Sequence, residues 1–254
     1  MDKKLILAAP CLAMLAACGG SSTGGASYTT LKVFSDGTGV AKGTGTDGSQ
    51  ALLMAPDIAL VVQAANDATQ QDIASIRVSD FPVVQSLSTN ANLRQGTITS
   101  SGVVFNTTAI EDLGGEAGLI LLEIPNQYSA AMATGTSLTG TPVGTHTYSG
   151  TMTMGARSIN PNQELGSFTM NANFNASSYT FSGNTSNNSL SGSGVIDAQS
   201  GTFNSNNLSA STNGTSRTAT MYGQLHGNAA TSVSGVFHTN ESSANYAGGF
   251  VGSR

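Results

Sequence analysis

Three histidines and two tyrosines are the side chains of this sequence best suited to bind a haem iron or a metal ion. The histidines are His146, His226 and His238, and none follows the His-x-x-x-His spacing of a helical metal site. His226 and His238 fall near the ends of adjacent predicted strands, so they could lie close in space. Two interpretations stay open: outward polar side chains at strand ends, which we favour, or axial ligands of haem, with Tyr222 and Tyr246 as further candidates.

A short acidic stretch offers a second kind of chemistry. Glu111 and Asp112 stand next to each other, and Glu116 follows in the turn-rich segment EDLGGEAG. Paired carboxylates can transfer protons or bind Ca²⁺ through their oxygens, but a solvated loop is the commoner explanation. Residues 36–39 (DGTG) look like a glycine-rich phosphate loop, yet the lysine and the helix of such a loop do not follow, so they predict a turn.

No nucleophile motif appears in the context of a strand and a helix, and no Ser-x-x-Lys motif is present. We therefore expect a protein that is not an enzyme. The sequence assigns no catalytic residue, no cofactor-binding residue and no metal ligand.

Cys18 has the most specific surroundings in the sequence. Lys3 and Lys4 precede the apolar run 5–17, which ends in Leu-Ala-Ala directly before Cys18. This layout is typical of a secretory signal, and the run is too short and too early for a membrane span. Its end resembles the lipobox of bacterial lipoproteins. The resemblance implies cleavage before Cys18 and lipidation of its thiol, hence a lipoprotein anchored in a Gram-negative outer membrane, at the cell surface. The alternative is an ordinary signal with a chance cysteine.

Composition narrows the possible partners. Removal of residues 1–17 changes the formal net charge from −5 to −6, and this weak acidity argues against nucleic acid, which requires clustered Lys and Arg. The only other cysteine, Cys11, lies inside the apolar run. Once Cys18 is acylated, no thiol remains for a disulfide or a thiolate metal site, so packing and sheet hydrogen bonds must hold the fold.

The expected organisation is all-β, with four segments. These are a lipoprotein signal peptide (1–17), a lipidated Gly/Ser tether (18–27), a β-rich handle-like region (28–134) and a barrel domain (135–254). The nine residues 19–27 (GGSSTGGAS) behave as a flexible coil that spans about 15–18 Å on average. Residues 135–144 are expected to form a linker or a long loop.

The first half is predicted to form short strands with glycine-rich turns between them. Apolar, β-branched runs at 28–34, 73–84 with a break at Pro82, 96–105 and 118–124 predict half-buried strands, and 58–65 could be either a strand or a short helix.

The second half contains eight strand candidates with turn signals between them, at 146–154, 165–174, 177–181, 190–196, 201–211, 217–226, 232–237 and 246–251. Phe168, Met170, Ala172 and Phe174 alternate with polar residues, so they share one face of a strand. The pattern predicts an eight-stranded antiparallel up-and-down barrel filled by its own side chains. An integral outer-membrane barrel is the less favoured alternative, because the polar faces are uncharged, the aromatic residues form no girdles and several strands are short.

The last third of the chain resembles a known family. Residues 217–227 (RTATMYGQLHG), 232–238 (SVSGVFH) and 246–254 (YAGGFVGSR) resemble the closing strands of the barrel of transferrin-binding protein B lobes, and 142–151 (PVGTHTYSGT) resembles the opening strand. Factor H binding protein and haemophores share this barrel type.

The resemblance implies the barrel and a β-rich handle beside it, and a protein that captures a ligand through its loops. The partner would be a protein or a small molecule, with haem and iron acquisition among the possibilities. A structural or adhesive surface lipoprotein without a nutrient role remains the alternative.

Overall fold

The computed structural model describes residues 27–35, 37–45, 48–56, 58, 59, 62, 77–100, 103–124, 128–156, 164–240 and 246–254. Strands dominate these residues. They are β1 (Ser27–Val33), β2 (Thr38–Thr44), β3 (Gln50–Pro56), β4 (Val83–Leu87), β5 (Ala91–Ser100), β6 (Val103–Asp112), β7 (Ala117–Ile124), β8 (Tyr128–Gly135), β9 (Thr145–Ala156), β10 (Glu164–Asn173), β11 (Ser178–Asn184), β12 (Asn188–Asp197), β13 (Thr202–Thr212), β14 (Thr215–His226), β15 (Ser232–Thr239) and β16 (Tyr246–Ser253). A 3₁₀ helix, Val78–Asp80, precedes β4. No helix within the described part of the chain is long and apolar enough to cross a membrane.

The first eight strands form one open antiparallel sheet, which we call the handle sheet. Its strand order is β1-β2-β3-β8-β7-β6-β5-β4. The central strands are buried on both faces: on β7, Leu119 and Leu121 lie on one face, Ile120 and Leu122 on the other, and each is at most 6% exposed. Burial on both faces explains why β7 is a continuous apolar run rather than an alternating one.

The last eight strands close into a barrel in the order β10-β11-β12-β13-β14-β15-β16-β9. All neighbours are antiparallel, and each consecutive pair is joined by a hairpin. Asn213 and Gly214 join β13 to β14 with φ of 49° and 78°, the positive values that a two-residue type I′ turn requires. The apolar side chains point into the barrel, where Phe168, Met170 and Ala172 are buried, while Thr169 and Asn171 are exposed.

The outer face of β15 and β16 packs against the handle sheet. Val236, Ala247 and Val251 of the barrel share one apolar cluster with Leu119 and Leu121 of β7. For this reason every residue of β15 is buried, although only alternate residues point into the barrel.

The predicted fold class is confirmed. The structure contains an eight-stranded antiparallel up-and-down barrel and a β-rich handle, as the family resemblance implied. All eight predicted barrel segments coincide with strands β9 to β16.

Three expectations about the handle are wrong. The predicted strand 96–105 spans a hairpin, since Ser100 of β5 pairs with Val103 of β6. The described part of the predicted strand region 73–84 contains the 3₁₀ helix, and the expected break at Pro82 falls directly before β4. Strand β8 was not predicted, because its Ala-rich sequence lacks the β-branched signature. Of the ambiguous segment 58–65, the described residues Ile58, Ala59 and Val62 are helical.

The two ends of the molecule differ in their connections. At one end, Ser27 pairs with Thr44 beside the β2–β3 turn, Ser137 Oγ donates a hydrogen bond to the carbonyl oxygen of Gly48, and Arg254 N donates to Thr231 O at 3.2 Å. We call this the tether end, because Ser27, the last residue of the predicted tether, lies there. The opposite, distal end carries the β11–β12 turn (185–187) and the β13–β14 turn (213–214) of the barrel.

Candidate binding surface

The barrel interior is filled by its own aromatic side chains. The rings of Phe168, Phe181 and Phe250 lie 5.0–5.3 Å apart, and Tyr179 meets Phe203 edge to face at 5.1 Å. These distances are those of packed aromatic pairs. The interior of the barrel is therefore a packed core.

A preorganised cluster stands at the distal end, on β13, β14 and β16. The Arg217 guanidinium lies 5.5 Å from the centroid of the Tyr246 ring, within cation–π range. Arg217 Nε donates a hydrogen bond to Thr212 Oγ1 at 2.6 Å. Asn213 Nδ2 donates to the Tyr246 hydroxyl at 2.8 Å. Both large side chains are thus held in one orientation before any partner arrives.

Glu164 organises the neighbouring part of the distal end. Its carboxylate accepts hydrogen bonds from Asn187 Nδ2 at 2.6 Å, Thr185 Oγ1 at 2.7 Å and Asn188 Nδ2 at 3.0 Å. These bonds, first those from the side chains of Asn187 and Thr185, lower the pKa of Glu164 because they favour the charged form.

We call this surface the distal rim. Its members are Glu164, Thr185, Asn187, Asn188, Thr212, Asn213, Arg217 and Tyr246. Among the charged residues that the structure describes in the barrel, Glu164 and Arg217 belong to the rim, whereas Asp197 and Arg254 lie toward the tether end.

The structure separates His226 from His238. The β14–β15 register pairs His226 with Ser232 and His238 with Thr220, so the two imidazoles lie about 20 Å apart at the usual rise of 3.3–3.4 Å per residue. A haem site built from both is excluded.

Both side chains point away from the barrel interior and are covered by the handle sheet. His226 is 0% exposed and His238 is 1% exposed. His238 stacks on Phe34 at 4.5 Å.

His226 is locked at the junction of barrel and handle. Its Nδ1 lies 2.9 Å from Thr136 O, and its Nε2 lies 2.7 Å from Ser234 Oγ. The carbonyl can only accept, so Nδ1 donates and Nε2 accepts from the serine hydroxyl. Burial lowers the pKa of His226 to about 4. The ring is therefore neutral at pH 7, and both of its nitrogens are already hydrogen-bonded.

The other candidate ligands are spread over the molecule. His146 lies at the tether end, where its ring nitrogens are 2.7 and 2.8 Å from Arg254 Nη1 and its ring is 5.5 Å from that of Phe174. Tyr222 is partly buried against the cluster shared by barrel and handle. Tyr246 belongs to the distal rim. Nowhere in the described ranges do three or more His, Cys, Asp or Glu side chains form a group that could hold a metal ion.

The three carboxylates of the acidic stretch have separate partners. Glu111 accepts from Arg94 Nη2 at 2.7 Å, and Glu116 accepts from Thr136 Oγ1. Asp112 is only 4% exposed and accepts from Ser253 Oγ at 3.2 Å, while burial raises its pKa. The expectation of a solvated loop is therefore wrong for Asp112.

All three carboxylates line a cleft of about 350 Å³ on the handle. Because their hydrogen-bond partners differ, they do not form the acid–base pair that was the less favoured interpretation of this stretch.

The sequence reveals only part of this surface. It marks Tyr246 as a possible iron ligand, but it gives no local signal for Arg217 or Glu164. Their proximity depends on barrel closure, which a single sequence does not display. Cys18 and the tether residues up to 26 lie outside the described residues, so the lipidation of Cys18 stays a prediction.

No protein-family model matches the chain, and no curated protein matches it. Several solved structures are similar. The haemoglobin receptor HpuA from Kingella denitrificans has a TM-score of 0.48 and 14% identity, over 92% of this chain and 88% of that one. The same receptor in complex with human haemoglobin has a TM-score of 0.47 and 14% identity, over 93% and 90% of the two chains.

Transferrin binding protein B from serogroup B Neisseria meningitidis has a TM-score of 0.48 and 14% identity. The alignment covers 85% of this chain and 52% of that one, so this chain spans about half the length of that protein.

Proposed function

We propose that this chain is a non-enzymatic lipoprotein of the bacterial surface, anchored through Cys18, that captures a protein ligand with its distal rim in the course of iron acquisition. The chain needs no resident cofactor in this role. Capture uses a preformed surface: the barrel supplies rigidity, the rim supplies oriented polar and aromatic groups, and the lipid keeps the protein at the envelope.

The observation that carries the proposal is the contrast between the filled interior and the ordered rim. The packed rings of Phe168, Phe181 and Phe250 leave the outer surface as the place for a ligand. On that surface, Arg217 and Tyr246 combine two residue types that dominate interface energetics. Their hydrogen bonds to Thr212 and Asn213 fix them in advance, which reduces the entropy lost on binding.

The arrangement also supports an anchored mode of action. Ser27, where the described chain begins, lies at the tether end, so a lipid on Cys18 would leave the rim facing away from the membrane. A ligand would then reach the rim without competition from the bilayer.

The test is direct binding of the full chain to haemoglobin, transferrin, lactoferrin and free haem, each as a separate probe. We expect one of the three proteins to bind with a dissociation constant in the micromolar range or below. The double variant Arg217→Ala/Tyr246→Ala should weaken that binding at least about 30-fold, the loss of a hot spot worth about 2 kcal/mol. Gln199→Ala, in an exposed turn at the tether end, is the matched control and should bind as the parent does.

Two results would refute the binding proposal. One is that no iron-carrying protein binds. The other is that the rim variant and the Gln199→Ala control bind equally well. A Soret band with free haem but no protein binding would instead indicate a small-molecule ligand at another surface.

The anchor has its own test. Cys18→Ser removes the thiol that would carry the lipid, so the protein should move from the membrane fraction to the soluble fraction. Cys11→Ser, inside the apolar run, is the control and should leave the distribution unchanged. A Cys18→Ser protein that stays with the membrane would refute lipidation at this residue.

A further inference from the structure

Two connections at the tether end expose large apolar side chains. Leu113 is 53% exposed in the β6–β7 turn, and Val143 is 71% exposed in the connection between β8 and β9. Turns and connections ordinarily carry Gly, Asn, Asp or Ser, so an exposed leucine and valine there require a reason. The described residues of the distal connections, at 34, 35, 37, 185–187, 213, 214 and 240, expose no large apolar side chain, although Val33, Val83 and Val84 are exposed on the edge strands β1 and β4.

The β6–β7 turn and the β8–β9 connection lie at the same end of the molecule, where the last two residues of the chain contact both regions. Asp112, just before Leu113, accepts a hydrogen bond from Ser253 Oγ at 3.2 Å. The next residue, Arg254, holds the His146 ring, close in sequence to Val143. These contacts connect the segment of the handle that carries Leu113 with the segment before β9 that carries Val143. The two side chains are therefore fixed relative to each other.

The same end is the one tied to the lipid in the proposed function. Ser27 pairs with Thr44 at the tether end, and the nine residues 19–27 span about 15–18 Å on average. A body held so closely meets the bilayer often, and it meets it with the end from which the tether leaves.

The charges of this end fit a zwitterionic lipid surface better than an anionic one. Glu116 and Asp197 are exposed there, as is Arg77, which lines the same cleft as Glu116. Arg254 is engaged with His146 and with Ala229 O. No basic cluster is present in the described part of this end to attract anionic headgroups.

From these observations, and resting on the anchor in the proposed function, we propose that the tether end is a second membrane contact. Leu113 and Val143 enter the boundary between headgroups and acyl chains of a zwitterionic bilayer. The contact holds the barrel upright on the membrane, with the distal rim pointing outward. The lipid alone would leave the body free to tumble on its tether.

The experiment measures depth with an environment-sensitive fluorophore. The acylated mature chain would have no free thiol, so Leu113→Cys and Val143→Cys each provide one labelling site, and Asn213→Cys in the distal turn is the matched control. The full lipidated chain is reconstituted in phosphatidylcholine vesicles that contain a headgroup quencher. We expect a blue shift and several-fold stronger quenching at 113 and 143 than at 213, with a weaker response in phosphatidylglycerol vesicles.

Each other outcome overturns the inference in a recognisable way. Equal, weak quenching at all three positions in chains that float with vesicles leaves the anchor intact and refutes the second contact. Stronger quenching at 213 reverses the orientation. A blue shift at 113 that appears without vesicles and grows with protein concentration would mean that Leu113 and Val143 contact a second copy of the chain instead of a membrane. Failure of the chain to float refutes the anchor and, with it, this inference.

Discussion

The barrel and the handle sheet bury their apolar residues in different ways. The barrel core consists of residues from its own strands and the connections near them. The cluster on the inner face of the handle includes Val236, Ala247 and Val251 from the barrel. Closure lets the barrel complete its core alone, whereas an open sheet must cover each apolar face with another element. The comparison indicates that the barrel is the frame, the part whose core is complete by itself, and that the handle depends on the barrel for its stability.

The two cores also differ in polarity. Aromatic rings dominate the barrel interior, but the junction with the handle contains buried polar side chains such as His226, Ser234 and Gln224. Neither side-chain polar atom of Gln224 has a hydrogen-bond partner, and an unsatisfied buried group costs about 1–3 kcal/mol. The junction between barrel and handle is therefore less stable than the barrel core. Substitutions in the two regions should have different effects on the free energy of unfolding.

The largest effect is expected from Phe250→Ala in the barrel core. Phe250 is 0% exposed and its ring is 5.0–6.2 Å from those of Phe168, Phe181 and Phe203. The truncation should lower the free energy of unfolding by about 3–5 kcal/mol. If the barrel is the frame, the handle unfolds with it in one transition. Denaturation followed by hydrogen exchange in β7 and in β11 measures this.

Val195→Ala is the control for the barrel, since Val195 is 64% exposed on the barrel wall. It should change the free energy of unfolding by no more than about 0.5 kcal/mol. A Phe250→Ala protein whose β7 amides stay protected while the β11 amides exchange would contradict the dependence of the handle on the barrel.

The sequence predicts these two regions unequally, for a physical reason. In the barrel, one face of each strand is buried and the other is mostly wet, so Phe168 and Met170 alternate with polar residues and reveal the strand. In the handle, both faces of β7 and β8 are buried, and period two disappears. The covering of His226 depends on packing between distant segments, as does the meeting of Arg217 with Tyr246. Neither leaves a local pattern in the sequence.

Acid should weaken the junction more than the barrel. The pKa of buried His226 is lowered to about 4 from an ordinary value of about 6.5, so the unfolded chain binds the proton more readily. The stability that depends on neutral His226 is fully present above pH 6.5 and is lost as the pH falls toward 4. It amounts to about 3 kcal/mol at 1.36 kcal/mol for each pKa unit. Stability measured between pH 7 and pH 4 checks this slope.

In His226→Gln the side chain at this position stays neutral at every pH. Comparison with the parent therefore separates the contribution of the histidine to the pH dependence of stability from that of other titrating groups. The raised pKa of Asp112 acts in the opposite direction, because there the folded form takes up its proton more readily. The variant should be less stable at pH 7 yet lose less stability on acidification than the parent. Parallel pH profiles for the parent and His226→Gln would show that the slope comes from elsewhere.

A smaller effect is expected where the handle touches the His226 ring. A Cβ on Gly135 would lie 2.5 Å from His226 Nδ1 and 2.8 Å from Glu116 O, closer than real Cβ contacts allow. Gly135→Ala should therefore cost about 1–3 kcal/mol, the usual penalty for overpacking. In a His226→Ala background much of that penalty should vanish, because the ring that collides with the new methyl group is gone. Strict additivity of the two changes would contradict this contact.

The smallest effect is expected on the side of the handle away from the barrel. Arg94 donates to Glu111 through Nε at 3.0 Å and Nη2 at 2.7 Å, and through Nη1 to Phe81 O at 2.6 Å. Both charged side chains are partly exposed, at 16% and 28%, so solvent screens the pair and a double-mutant cycle should give at most about 1 kcal/mol. Arg94→Lys loses the planar fork but keeps the charge, so faster hydrogen exchange should be confined to the edge strand β4 and its neighbour β5. A coupling energy well above 1 kcal/mol would mean that the handle has a stabilising network of its own. Its dependence on the barrel would then be weaker than the shared core indicates.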